Sequence, residues 1–164
     1  MPSPRTKILN DGRPGAAAEA PVAAAGRSAA HPSQNSTGLG LELTVLIAED
    51  DPTILGLMAM LAAKAGHRVL TARNGHEALK IWESEHPGLV LMDVLMPNLD
   101  GLEATRRIRS REKQTGGRVP IYGLTAFVME EDINSCLAAG MTGHIGKPID
   151  FPSILEVLKR HQGC

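Results

Sequence analysis

Apolar positions along the chain come in short unbroken runs that alternate with stretches of helical period. Residues 43–48 read LTVLIA and end in Glu49-Asp50-Asp51, the pattern of a buried strand running into a polar rim. DPTILGLMAMLAAKAG follows, with Asp51 placed to cap a helix, Pro52 at its first position and Gly66 to stop it. Ile54, Leu57, Met58, Leu61 and Ala65 recur at helical spacing and predict the inner face. RVLTA (68–72) reads as a second strand, and NGHEALKIWESE begins a second helix with Asn74 and Glu77 spaced as a capping box. GLVLM (88–92) is a third strand, followed by a helix over 101–113 with Leu102, Thr105 and Ile108 turned inward. VPIYGL (119–124), EEDINSCLAAG (130–140), TGHIG (142–146) and PSILEVLKRH (152–161) complete the alternation.

Five strand–helix units with short connections predict parallel strands joined by right-handed crossovers. Strands that are apolar almost throughout need helices over both faces. The fold class is therefore α/β, a three-layer (βα)5 sandwich around a five-stranded parallel sheet.

In such a sheet, ligands bind beyond the carboxyl ends of the strands. Those positions hold Glu49 and Asp50 after the first strand, Asp93 after the third, Thr125 after the fourth and Lys147 after the fifth. Asp93 ends the run LVLM, where a charge is costly unless it serves the rim. Three carboxylates so placed repel and raise one another's pKa values unless a cation joins them. Their hard oxygens at a hydrated rim suit Mg²⁺, which keeps waters and shares its shell with phosphate. Lys147 and the Thr125 hydroxyl then face a phosphoryl group carried by one carboxylate.

Over residues 43–161 the chain resembles the receiver domain of two-component response regulators, through VLIAEDDP, LVLMDVLMPNLDGLEATRRIR, IYGLTA and GHIGKPI. The resemblance implies a flavodoxin-like fold, with Asp93 as phosphoacceptor, Asp50 as a direct Mg²⁺ ligand and Glu49 acting mostly through water. It implies that Leu95 lends the metal its backbone carbonyl, that Thr125 is the switch hydroxyl and that Lys147 pairs with the phosphoryl group. Pro148 matches a proline commonly preceded by a cis bond. Where the family usually has Tyr or Phe three residues before the lysine, this chain has His144, a smaller and titratable ring. Leu95 and Phe127 match the two side chains that flank the approach of hydrolytic water. The implied partners are a sensor histidine kinase and, because the wording resembles receivers of hybrid kinases, a histidine phosphotransfer protein. The implied role is signalling rather than enzymatic turnover, by a monomer or a weak dimer formed on phosphorylation.

Plainer readings exist for each residue. Asp50 or Glu49 alone would serve as a helix cap, Asp93 as a turn residue before Pro97, Thr125 as a cap for the helix at 130, and Lys147 as a surface lysine. Each leaves the other four unexplained. Glu130, Glu131 and Asp132 read as first-turn charges complementing a helix dipole. Met58, Met60 and Met92 read as core fillers. His67, His76 and His86 read as solvated, without zinc-ligand spacing. An aspartyl phosphatase needs a second acid two residues after the nucleophile, and Leu95 stands there. A phosphorylation-independent binding module does not need the full acidic set.

Composition narrows the rest. The chain has 164 residues, 43% of them hydrophobic, with one Trp, one Tyr and two Phe, so aliphatic side chains must fill the core. A net charge of -1 gives no steering toward nucleic acid or membrane. Two cysteines form no disulfide framework, and no apolar run reaches the ~18 residues a membrane span needs, so a cytoplasmic setting is expected. Residues 1–40, dominated by Ala, Pro, Gly and Ser, show neither apolar period and read as a disordered tail or linker before a domain at 41–164. After the last helix only QGC remains, so no output module is expected there.

Overall fold

The structure, a computed structural model, describes residues 42–126 and 129–162. The expected tail at 1–40 and Phe127 lie outside the described residues. The elements run β1 (Thr44–Ala48), α1 (Pro52–Lys64), β2 (Arg68–Ala72), α2 (Gly75–Glu85), β3 (Leu89–Asp93), α3 (Gly101–Thr115), β4 (Ile121–Thr125), α4 (Glu130–Ala139), β5 (Gly143–Gly146) and α5 (Phe151–His161). All five strands are parallel, in the order β2-β1-β3-β4-β5. This is the three-layer (βα)5 sandwich that the alternation predicts, with the flavodoxin-like fold that the resemblance implies.

The pleat sorts the core into two layers. Val45, Ile47, Leu89, Leu91, Tyr122, Leu124 and Ile145 pack against α1 and α5 through Leu55, Met58, Ala62, Ile154, Val157 and Leu158. Leu46, Ala48, Val90, Met92 and Ile121 face α2, α3 and α4 through Ala78, Leu79, Trp82, Ala104, Ile108 and Cys136. Burying an aliphatic side chain of this size contributes about 1.5–3 kcal/mol, which explains why strand residues of both parities are apolar.

Local signals set the helix starts. Asp51 accepts from the amides of Thr53 and Ile54 at 2.8 and 3.1 Å. Asn74 accepts from Glu77 N–H at 2.9 Å, while Glu77 reaches back to the Arg73 amide at 2.9 Å. Asp100 caps α3 through the Glu103 amide at 2.7 Å. The acids at 130–132 occupy the first turn of α4, as expected.

The facing of α1 differs from the sequence expectation. Its buried side chains are Leu55, Met58 and Ala62, whereas Leu57 is 42% and Met60 is 49% exposed. The helix is apolar almost all round, so period alone does not phase it. Met60 is therefore a surface residue, unlike Met58 and Met92. β4 starts at Ile121 rather than Val119 because Val119 is already engaged: its N–H donates to Glu112 Oε1 at 2.7 Å and its carbonyl accepts from Arg109 Nη2 at 2.9 Å.

His67 is buried, not solvated, whereas His76 and His86 are exposed. The cause lies in how α1 ends. Gly66 takes φ +88° and donates to Ala63, and His67 N–H donates to the Ala62 carbonyl at 3.1 Å. That closure folds the residue after the glycine onto the last helical turn. His67 Nε2 lies 3.0 Å from Gln162 Nε2, at the end of α5. Burial pulls the His67 pKa below its ordinary 6.5, and Glu42 opposes the shift.

A histidine held neutral in the fold binds fewer protons than the unfolded chain. Its contribution to stability is complete above about pH 6.5 and declines as pH falls from there toward the folded pKa. The melting temperature of the wild type is expected to drop between pH 7 and 5.5 by more than that of His67→Leu, measured by circular dichroism. Parallel pH profiles for the two proteins would contradict this.

Candidate functional site

The carboxyl ends of β1, β3, β4 and β5 meet at one rim. Asp93 is the last residue of β3 and only 3% exposed. The start of α3 fixes its backbone. Gly101 N–H donates to the Val94 carbonyl at 3.0 Å, and a Cβ on Gly101 would stand 2.0 Å from the Asp93 carbonyl oxygen. Only glycine lets α3 start this close to β3. The intervening loop is held by Gly75 N–H on the Leu99 carbonyl at 3.1 Å, with Asn98 at φ +68°.

Glu49 follows β1 and is 1% exposed; its amide donates to the Ala72 carbonyl at 3.1 Å, extending the ladder to β2 by one residue. Glu49 Oε1 accepts from Asp51 N–H at 3.3 Å. Asp50 is exposed on the rim. Glu49, Asp50 and Asp93 each offer an oxygen, and the three oxygens lie within 4.8 Å of one another. Across from them Lys147 Nζ lies 2.8 Å from Asp93 Oδ2 and 2.9 Å from Glu49 Oε2. The lysine follows β5, and its amide donates to the Thr125 carbonyl at 2.7 Å, which ties the ends of β4 and β5 together. The Lys147–Pro148 peptide is cis. Thr125 is 3% exposed at the end of β4.

The site therefore holds three carboxylates against one ammonium. Burial raises the pKa of Glu49, the contact with Lys147 opposes that rise, and the nearby Asp93 adds to it. Burial pulls Lys147 down, but its contacts with Asp93 and Glu49 outweigh it and leave the ammonium more basic than usual. Among the described residues, Glu49 Oε2 touches Lys147 as an ion pair and accepts no aligned hydrogen bond, although it is fully buried. A buried oxygen without an aligned donor, in a cluster of hard oxygens carrying excess negative charge, fits a small divalent cation.

Of the residues singled out in the sequence, Glu49, Asp50, Asp93 and Lys147 converge, with Thr125 on the adjoining strand end. Leu95 donates its N–H to Asp93 Oδ1 at 3.2 Å while its side chain is 58% exposed. His144 stands apart, half-buried on β5 opposite Gly123, where it lines a 240 Å³ cavity with Tyr122, Ser153, Glu156 and Arg160. Sequence reasoning missed that Asp51, besides capping α1, orients Glu49 through its amide; a run of three acids gives no sign of which one turns inward. No helix among the described residues is long and apolar enough to cross a membrane.

Comparison with known proteins identifies the family and the fold. The response regulator receiver domain model matches residues 45–159. The polar-differentiation response regulator DivK of Brucella ovis is 32% identical over 120 residues, covering 73% of this chain and 96% of that protein. The receiver domain of the sensor histidine kinase PA1611 from Pseudomonas aeruginosa, solved with a magnesium ion coordinated in its active-site cleft, is 34% identical with a TM-score of 0.66, over 73% of this chain and 96% of that one. A co-crystal of the Saccharomyces cerevisiae histidine phosphotransfer protein Ypd1 with the receiver domain of Ssk1 gives 28% identity and a TM-score of 0.71, over 74% of this chain and 90% of the matched one. On the family match and the shared fold, this chain belongs to the response regulator receiver domains of two-component signalling.

Proposed function

We propose that the chain accepts a phosphoryl group on Asp93 from the phosphohistidine of a partner protein, and that the resulting acyl phosphate changes the surface it offers to a downstream partner. The observation that carries this reading is the placement of Asp93: a strand-end carboxylate 2.8 Å from Lys147 Nζ and inside a cluster with Glu49 and Asp50.

In the transfer, an Asp93 carboxylate oxygen forms a bond to phosphorus as the phosphorus–nitrogen bond to the donor histidine breaks. The imidazole nitrogen leaves with that electron pair. The step is mostly positioning and charge stabilisation. Lys147, held between Glu49 and Asp93, is placed to pair with the phosphoryl oxygens once Asp93 is phosphorylated. The Thr125 hydroxyl stands on the neighbouring strand end to follow the new charge. Asp50, Glu49 and Asp93, with the Leu95 carbonyl, would hold Mg²⁺, which when bound neutralises charge on the transferring group. PA1611 is described with magnesium in this cleft, which supports the same ion here.

A donor must reach Asp93 past its surroundings. Beside Lys147 runs an apolar groove of about 200 Å³ lined by Ile54, Leu57, Met58, Pro148, Ile149 and Phe151, with Leu57 and Phe151 each more than two-fifths exposed. It fits an apolar helix face of a protein carrying the phosphohistidine. The Ypd1–Ssk1 complex supports a histidine phosphotransfer protein as one such partner. A sensor histidine kinase would supply the same group. The chain acts as a signalling acceptor and not as a turnover enzyme.

Asp93→Asn is expected to abolish phosphorylation by acetyl phosphate with Mg²⁺ while retaining the native circular dichroism spectrum, because the amide keeps the shape and loses the nucleophile. A phosphate adduct in the mutant by intact-protein mass spectrometry would contradict the assignment. The lifetime of the adduct gives a second expectation. Leu95, apolar and exposed beside Asp93, accepts no hydrogen bond from an attacking water, and by resemblance Phe127 flanks the same approach. Leu95→Asn combined with Phe127→Glu is expected to speed dephosphorylation on the order of tenfold, or ~1.4 kcal/mol of barrier. Decay as slow as that of the wild type would show that these side chains do not shield the phosphorus.

A further inference from the structure

α4 is fastened at one end. Its buried side chains, Cys136 and Ala139, lie in its C-terminal half, and Met141 just beyond is buried as well. No residue from 130 to 135 is buried. Met129 occupies the N-cap position without any side-chain hydrogen bond to the first-turn amides, and its own side chain is 71% exposed. Among the described residues, the N-terminal end thus has no side-chain cap and no buried side chain.

The C-terminal end has both. Gly140 adopts φ +98°, and Met141 N–H closes on the Cys136 carbonyl at 3.0 Å. From α3, Arg109 Nε donates to the Gly140 carbonyl at 2.8 Å. The same guanidinium donates through Nη2 to the Val119 carbonyl at 2.9 Å and through Nη1 to Glu112 Oε2 at 2.6 Å. Glu112 Oε1 in turn accepts from Val119 N–H at 2.7 Å. Arg109 and Glu112 are 8% and 7% exposed, so the pair is shielded from water. A Cβ on Gly140 would stand 2.9 Å from Arg109 Cγ, so the arginine stem packs directly on the helix end. One planar guanidinium joins α3, the segment just before β4 and the end of α4, and a lysine cannot reproduce that fork.

We propose that Arg109, clamped by Glu112, is the pivot of α4, a positioning residue that holds the C-terminal end of the helix still so that a shift at the Thr125 end of β4 displaces the N-terminal half. Val119, anchored two residues before β4, leads into the strand whose far end carries Thr125, so the approach to the strand and the end of the helix are pinned by the same side-chain pair. What drives the motion rests on the acceptor role of Asp93; the pinning itself does not.

Amide hydrogen exchange followed by NMR on the metal-free protein tests the pinning. In the wild type, amides of Ala138–Met141 are expected to exchange about tenfold more slowly than those of Ile133–Ser135, as local opening from the unpacked end requires. Uniform protection along α4 would overturn the proposal. On adding beryllofluoride with Mg²⁺, shift changes within α4 are expected at Glu130–Ile133 and to fade toward Met141; the largest changes at Ala138–Met141 would overturn it. Arg109→Lys keeps a positive charge beside Glu112 but loses the fork. It is expected to raise exchange at Ala138–Met141 about tenfold and to spread the beryllofluoride response along the whole helix, while Mg²⁺ affinity read at the Leu95 amide stays unchanged. An unchanged gradient in this variant would refute the pivot, and if the variant does not fold, the wild-type gradient still decides. A protein that shows the exchange gradient but no beryllofluoride response at Asp93 would refute the acceptor role and leave the pivot standing.

Discussion

Like charges crowded at the end of a rigid sheet are the constraint on which the rest of this molecule depends. Glu49 and Asp93 are buried almost completely, Asp50 adds a third carboxylate within 4.8 Å, and one ammonium stands between the first two. Two unit charges at such a distance interact by about 3 kcal/mol at an effective dielectric near 20. Lys147 offsets part of that and cannot offset all of it. Burial is the first cause that displaces the Glu49 pKa upward, and the nearby Asp93 adds to it. A site built this way gains most from whatever brings positive charge to the rim.

The scaffold confines that instability to the rim. β1, β3 and β4 are buried between helices on both faces, and the loop after β3 is locked by Gly101 and Gly75 at positions where a Cβ would collide with backbone. The carboxylates therefore cannot relax apart by moving their backbones. At the opposite end of the sheet the buried Arg109–Glu112 pair ties α3, β4 and α4 with every hydrogen bond aimed at a backbone group or at its partner. One end of the sheet holds unbalanced charge, and the other holds charge that is paired.

Much of this is legible in the sequence because it depends on local signals. The strands announce themselves as apolar runs, and Asp51, Asn74 and Asp100 cap the helices whose starts they mark. The acidic residues are legible because they sit where apolar runs stop. The facing of α1 is not, since a helix apolar on nearly every side has no phase, and Leu57 and Met60 consequently face out. His67 escapes such a reading because its burial comes from the turn that closes α1 and not from any period. Arg109 and Glu112 look in sequence like a solvent-facing pair three residues apart; only the approach of Gly140 and Val119 from other elements reveals them as interior. The Lys147 bridge between Glu49 and Asp93 likewise arises from strand order, which composition does not encode. His144 matches the family's aromatic position by spacing and lies on β5 opposite Gly123, two residues from Thr125 on the neighbouring strand.

The most direct test of the crowded-carboxylate account is the melting temperature of Asp50→Asn beside the wild type, without metal and with saturating Mg²⁺, at neutral pH. Removing one charge from the cluster relieves repulsion and removes a ligand in the same stroke. The account predicts that the metal-free mutant melts higher than the metal-free wild type by a few degrees, and that Mg²⁺ stabilises the wild type far more than the mutant. A metal-free mutant that melts lower, or an equal gain from Mg²⁺ in both proteins, would contradict it.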